Sequence, residues 1–303
     1  MGFLSWKYIE ERTRQGYLLK WNVFYLHILL SIILAGLSYI IFTLFQSQNV
    51  SYKTKVEKYI NYDVTEEFRA SQCFLVSKDR SMDAYKTEEC VVWEKEKKNY
   101  LLLGDSHAAH YYRALDSLLK EDETLTQLNA SGCLPVQNAT WGDTPCQDLF
   151  QWTLETLIQE KHFDVIIISM ANFHHTTPLA IHKSMKYIAQ YTDKIVFLGR
   201  TMRYKQPLPR LLLQLSLGEE SAFIHKIAGD YEYTLNLETT LQKVLKVDKL
   251  NYISILELMC TPQQSCRTLT PKKIPMYFDK DHFTKEGALY ILKQVEEEVF
   301  DRE

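Results

Sequence analysis

Two kinds of charge are missing from this chain. Its 303 residues carry a formal net charge of −3 at pH 7, so no basic excess is present to meet a phosphate backbone, and nucleic acid is excluded as a partner. Residues 21–45 contain no Asp, Glu, Lys or Arg. No C-x-x-C pair occurs among the six cysteines, which removes the usual zinc spacings. No metal or other cofactor is called for. There is also no internal repeat and no low-complexity tract, so repeat architectures are set aside.

The charge-free run is long enough, at about 1.5 Å per residue, to cross a bilayer core as a helix. Trp21, Tyr25 and Tyr39 suit its interfaces, and His27 near the helix end can reach one. No small-residue cleavage site follows promptly, so the segment reads as an anchor and not as a signal peptide. Lys7, Arg12, Arg14 and Lys20 precede it, against Lys53, Lys55 and Lys58 after it. The charge bias leans towards a cytoplasmic N-terminus. All six cysteines, Cys73, Cys90, Cys133, Cys146, Cys260 and Cys266, lie beyond the span. They fall into three pairs of near neighbours, and local pairing (73 with 90, 133 with 146, 260 with 266) is expected. Disulfides need an oxidising compartment, which puts the main domain outside the cytoplasm.

In chain order, residues 1–20 form a polar and aromatic lead, 21–45 the transmembrane helix, 46–98 a juxtamembrane connector and 99–303 the main domain. Within that domain strand-like and helix-like stretches alternate. Strands are predicted over 100–103, 124–128, 164–169, 194–199 and 251–255. Helices are predicted over 107–120, 147–161, 178–190 and 235–246, with a last helix from 285 to 299 capped by Thr284. Residues 201–231 read as irregular, broken by Pro207 and Pro209. The alternation argues for an α/β fold, a parallel sheet covered by helices on both faces.

Chemistry gathers at two places. Gly104-Asp105-Ser106 turns the chain between a strand and a helix, the edge at which open α/β sheets place their sites. Near the other end stands Tyr277-Phe278-Asp279-Lys280-Asp281-His282. Acyl transfer needs a nucleophile, a base, an acid that orients the base, and oxyanion donors. Ser106, His282 and Asp279 fill the first three roles. Gly132 can offer a backbone N–H group to an oxyanion, and Asn172 its side-chain amide.

These four stretches, in this order, resemble the SGNH hydrolase family, whose eponymous residues would here be Ser106, Gly132, Asn172 and His282. The resemblance implies a three-layer αβα domain, Ser106 as nucleophile, Asp279 and His282 completing the triad, and Ser106, Gly132 and Asn172 as the oxyanion hole. A narrower likeness follows from Gly-Asp-Ser-His-Ala, from Gly132-Cys133-x-Pro135, from the cysteine pair before the last motif and from Tyr-x-Asp-x-Asp-His. Together these are similar to the C-terminal extracytoplasmic domain of acyltransferase family 3 proteins, bacterial membrane enzymes that O-acylate cell-surface polysaccharides. The lead 5–14 resembles the end of their multi-helix acyltransferase domain, with Arg12 where proline is usual. The likeness implies O-acetylation of a surface polysaccharide such as lipopolysaccharide and a multi-helix acyltransferase domain or protein as partner. It also implies an inner-membrane, single-pass chain with its main domain periplasmic or otherwise extracytoplasmic, the C-terminal part of such a protein encoded separately or truncated. An esterase that removes acetyl groups and a non-catalytic module that presents glycan are the competing readings.

Asp105 is expected to hold its turn, and Asp281 rivals Asp279 as the orienting acid. His107 with His110, and His174 with His175, are set aside as metal pairs. Arg200 and Arg203 follow a strand end, where they face either solvent or an anionic glycan. Asn49, Asn129 and Asn138 begin glycosylation-like triplets that are read as chance matches.

Overall fold

The structure, a computed structural model, describes residues 21–79, 81–137, 145–171, 176–215, 230–261 and 265–302. The chain divides into two compact units, Met1–Tyr52 and Lys53–Glu303. One helix runs from Trp21–Glu57, past the expected end at residue 45. From Phe24 it is long and apolar enough to cross a membrane. Its large apolar side chains, among them Leu26, Ile33 and Ile41, are exposed. The hydroxyls of Ser31 and Ser38 donate to carbonyls one turn back, so these polar groups are satisfied within the helix itself.

The second unit is built on a six-stranded sheet in the order β1-β3-β2-β4-β5-β6, every neighbouring pair parallel. The strands are β1 (Phe74–Leu75), β2 (Lys98–Gly104), β3 (Glu123–Ala130), β4 (Phe163–Ser169), β5 (Thr192–Leu198) and β6 (Leu250–Ile253). Tyr100, Leu101, Leu102 and Leu103 are each fully buried. Successive side chains on a strand point to opposite faces, so four buried in a row require cover on both faces. This is why β2, β4 and β5 read as continuous apolar runs and not as alternation. Each such aliphatic side chain contributes about 1.5–3 kcal/mol by burial.

β1 and β3 lie on one side of β2, and β4, β5 and β6 on the other. A sheet whose order reverses about a strand opens a crevice at that strand's C-terminal end, here at Gly104. Gly104 has φ +145°, and a Cβ there would lie 1.9 Å from the Ser169 carbonyl oxygen. Only glycine lets β2 come this close to β4 and then turn into Ser106.

Several local expectations are corrected. The helix expected over 107–120 is two short ones, Ser106–Ala109 and Tyr112–Asp116. Between them the Tyr111 N–H reaches back only three residues, to the Ala108 carbonyl, a 3₁₀ step that interrupts the regular ladder. The last helix is likewise split into Lys285–Leu292 and Glu296–Phe300, with three-residue steps at Gln294 and Val295. Thr284 caps the first of these, its side chain accepting from the Gly287 N–H. Pro207 and Pro209 do not break residues 201–231 throughout. They lead into a helix, Leu208–Leu213, because a first-turn proline has no helical N–H bond to lose. Strand β1 lies in the stretch expected to be a connector, and the expected boundary at residue 99 falls inside β2. A two-residue strand has no sequence periodicity to betray it.

The three disulfides are Cys73–Cys90, Cys133–Cys146 and Cys260–Cys266, the local pairing expected. Asn129 is fully buried in β3, its amide donating to the Leu128 carbonyl at 2.9 Å, which leaves no room for a glycan. Asn138 lies outside the described residues.

Candidate active site

Ser106 stands at the first helical position after β2, with Asp105 as its N-cap. The Asp105 carboxylate is buried and accepts two backbone N–H groups, from His107 at 2.8 Å and from Ala171 at 2.9 Å. It therefore holds the turn, as expected, and also ties it to the end of β4. The helix that follows is a single turn, so any help to an oxyanion there comes from local N–H groups and not from a long aligned dipole.

His282 and Asp279 arrive on a tight loop before the last helices. Tyr277 and Phe283 bridge its two ends, and the Phe278 N–H donates to the His282 carbonyl at 3.1 Å. Asp279 Oδ1 accepts the backbone N–H of Asp281 at 3.0 Å and of His282 at 2.8 Å. Its other oxygen lies 2.8 Å from His282 Nδ1. His282 Nε2 lies 2.8 Å from Ser106 Oγ. One unbroken chain of hydrogen bonds thus runs from Asp279 through the imidazole to the serine hydroxyl. Asp281 Oδ1 is farther from Nδ1, at 3.4 Å, and its carboxylate turns towards Arg203, with Oδ2 3.5 Å from Nε.

The segment after β5 clamps this loop by three consecutive carbonyls. Leu208 N–H donates to Asp279 O at 2.8 Å, Tyr204 N–H to Lys280 O at 2.9 Å, and Thr201 Oγ1 to Asp281 O at 2.8 Å. The sequence offered no signal for these residues, since two of the three act through the backbone. Aromatic rings pack against the imidazole: Phe278 lies nearly parallel to His282 at 5.8 Å between centroids, and Phe68 at 6.1 Å. The His107 ring centroid lies 4.5 Å from that of His282.

The electrostatics set the residues apart. Burial acts to lower His282, but the hydrogen bond and charge of Asp279, helped by Asp281 and Asp105, outweigh it and hold the imidazole above its ordinary value. Burial also acts against ionised Asp279, yet its bonds to His282 keep it below the usual carboxylate range. Asp281 is raised by burial. His107 and His110 are held well below the ordinary histidine value, by burial first and then by the positive charge of His282. The site therefore pairs one basic histidine with two neutral ones.

Gly132 follows β3 with φ +70°, the left-handed conformation that favours glycine. Asn172, His174 and His175 lie outside the described residues, so the third expected oxyanion donor has no geometry here. His107, Asp281 and His282 bring ligand-type atoms within 4.8 Å of one another. Both ring nitrogens of His282 already face Asp279 and Ser106, and a metal there would displace one of these bonds.

A family model described as an SGNH domain fused to AT3 domains matches residues 72–297, and the chain belongs to that family. No curated protein matches the sequence significantly. Among solved structures, the periplasmic domain of a lipopolysaccharide acetyltransferase from Salmonella ser. Paratyphi A superposes with a TM-score of 0.62 at 17% identity, over 81% of this chain and 97% of that one. The carbohydrate acetylesterase Est24 from Sinorhizobium meliloti gives 0.42 at 13% identity, over 67% of this chain and 98% of that one. An aryl esterase from M. smegmatis gives 0.42 at 14%, over 68% and 100%. The first of these likenesses shows that the fold is the SGNH type, a parallel sheet with helices.

Proposed function

We propose that Ser106 takes an acetyl group as an ester and passes it to a hydroxyl of a cell-surface polysaccharide such as lipopolysaccharide. The observation that carries this reading is the hydrogen-bond chain Asp279–His282–Ser106, with 2.8 Å at each of its two links. A serine hydroxyl needs a base within such reach to become a nucleophile. In the first half-reaction Ser106 Oγ attacks the acetyl carbonyl carbon while His282 Nε2 takes the hydroxyl proton. The bond between the acetyl carbon and the donor's leaving atom then breaks, and His282 returns the proton to that leaving group. In the second half-reaction a sugar hydroxyl attacks the acetyl-serine, losing its proton to His282; the bond from the acetyl carbon to Ser106 Oγ breaks, and His282 returns the proton to Oγ. The Ser106 and Gly132 N–H groups and the Asn172 amide would hold the oxyanion in both halves, roles carried over from the family motifs. Asp279 fixes the imidazole tautomer and balances its charge.

Membership of a family fused to AT3 domains favours transfer over hydrolysis and supports a multi-helix membrane acyltransferase as the source of the acetyl group. We place residues 21–45 across the bacterial inner membrane, the N-terminus in the cytoplasm and the unit from Lys53 onwards outside it. The three disulfides support that placement. The test is mass spectrometry of the full chain in detergent after exposure to an activated acetyl ester. One acetyl group is expected on Ser106, and none in Ser106→Ala. A Ser106→Ala chain that still turns over acetyl ester would remove the covalent mechanism. An acetyl-enzyme that yields only to water and never to sugar would leave the esterase reading in place.

A further inference from the structure

Arg200 follows β5 at the same sheet edge as Ser106 and is only 4% exposed, so it does not lie on a solvated face. Among the described residues its Nε and Nη1, both buried, have no hydrogen-bond partner. The guanidinium carbon lies 5.4 Å from the ring centroid of Tyr233, which is 40% exposed. Among the described residues no carboxylate stands in ion-pair range of it. The nearest acid in its hydrogen-bond network, Glu238, accepts from the Arg200 backbone N–H at 3.3 Å and from the Tyr252 hydroxyl at 2.8 Å. Glu238 is itself buried, and burial pushes its carboxyl up towards the neutral form, which weakens it as a counter-ion. A buried charge is costly unless it is paired. Among the described residues this guanidinium has no carboxylate partner.

Arg203, nearly half exposed, extends the same positive edge to Asp281 beside the triad. Both arginines act on His107 and on Asp281, so their charges are felt within the site. A guanidinium offers a planar fork that suits carboxylate and phosphate oxygens.

We propose that Arg200 and Arg203 form an anion subsite beside Ser106, which takes an oxyanion carried by the acceptor sugar, a carboxylate or a phosphate. This rests on the acceptor being a glycan, as proposed above, and makes that glycan an acidic one.

The test is calorimetric titration of the full Ser106→Ala chain in detergent, which separates binding from turnover. Three probes are compared: digalacturonate, its dimethyl ester and inorganic phosphate. Digalacturonate should bind about tenfold or more tightly than the ester, the scale of a charge-assisted contact. Adding Arg200→Gln or Arg203→Gln should erase most of that preference while leaving the ester's weak binding alone. Arg203 is near the surface, so its variant reports even if Arg200→Gln misfolds, and a thermal melt of each checks the fold. Equal binding of acid and ester, no binding of any probe, or a preference untouched by both substitutions would overturn the subsite. Phosphate binding without digalacturonate binding would make it a free-anion site and overturn the glycan assignment. Acetyl labelling of the chain with Ser106 intact is measured alongside. Labelling without acid preference removes only the subsite, and acid preference without labelling removes only the acyl-enzyme.

Discussion

Asp279→Asn changes one atom and should separate loop building from base orientation. The carboxylate serves both: Oδ1 accepts two backbone N–H groups of its own loop, and Oδ2 faces His282 Nδ1 at 2.8 Å. In Asp279→Asn the remaining oxygen is held by the two backbone donors, so the new amide NH₂ must face Nδ1. The imidazole then accepts at Nδ1 and carries its proton on Nε2, where it meets the Ser106 hydroxyl as a donor. The loop survives and the base is lost. A wrong tautomer of this kind lowers turnover by about 10⁴-fold, or about 5.4 kcal/mol of barrier. Asp279→Ala also strips the two loop bonds, at about 1.5–3 kcal/mol each, so it should melt well below the parent while the Asn variant stays close to it. Asp281→Asn should cost about tenfold or less, because Asp281 is only a 3.4 Å neighbour of Nδ1. The assay is initial rates of p-nitrophenyl acetate hydrolysis with a melt of each variant. Asp279 is not the orienting acid if Asp279→Asn keeps about a tenth or more of parent activity, or if Asp281→Asn loses as much as it does. The pH profile gives a second reading. The working base is neutral imidazole, and Asp279 is the chief group raising His282. Parent activity should fall as pH drops through that raised value, and the residual activity of Asp279→Asn should persist to lower pH.

Asp105→Ala removes two buried charge-assisted bonds and should cost about 3–6 kcal/mol of stability, a large share of a typical total of about 5–15; an unchanged urea midpoint would refute the double role given to that carboxylate. His107 and His110 are neutral when folded and regain an ordinary pKa of about 6.5 when unfolded. Below that value the unfolded chain binds more protons, so stability should fall with pH by up to about 1.4 kcal/mol per unit for each. His282 has the opposite sign: its contribution is full below about 6.5 and is lost as pH rises through its raised folded value. A double His107→Gln, His110→Gln chain should therefore melt with a flatter acid-side slope than the parent, and an equal slope would count against neutral histidines in the core.

Local pattern alone determined much of this chain. The strands β2, β4 and β5 are legible because a strand buried on both faces must be apolar throughout. The pairing of the cysteines is legible because near neighbours close short loops. Ser106, Asp279 and His282 stand in motifs whose residue types already name their chemistry. Only the tertiary structure decided the rest, and the reason is the same in each case: the deciding contact spans a long stretch of chain or runs through the backbone. Asp279 and Asp281 sit two residues apart on one loop, and hydrogen-bond geometry, not spacing, turns the first towards His282. That loop is held by Thr201, Tyr204 and Leu208 through its carbonyls, and a carbonyl looks alike in every residue. The order of the strands, with β2 at the reversal, follows from parallel crossovers that no window of sequence contains. Arg200 follows a strand end, where an arginine faces either solvent or an anion; it is buried, with Nε and Nη1 unpartnered among the described residues, only because the elements around it close over it.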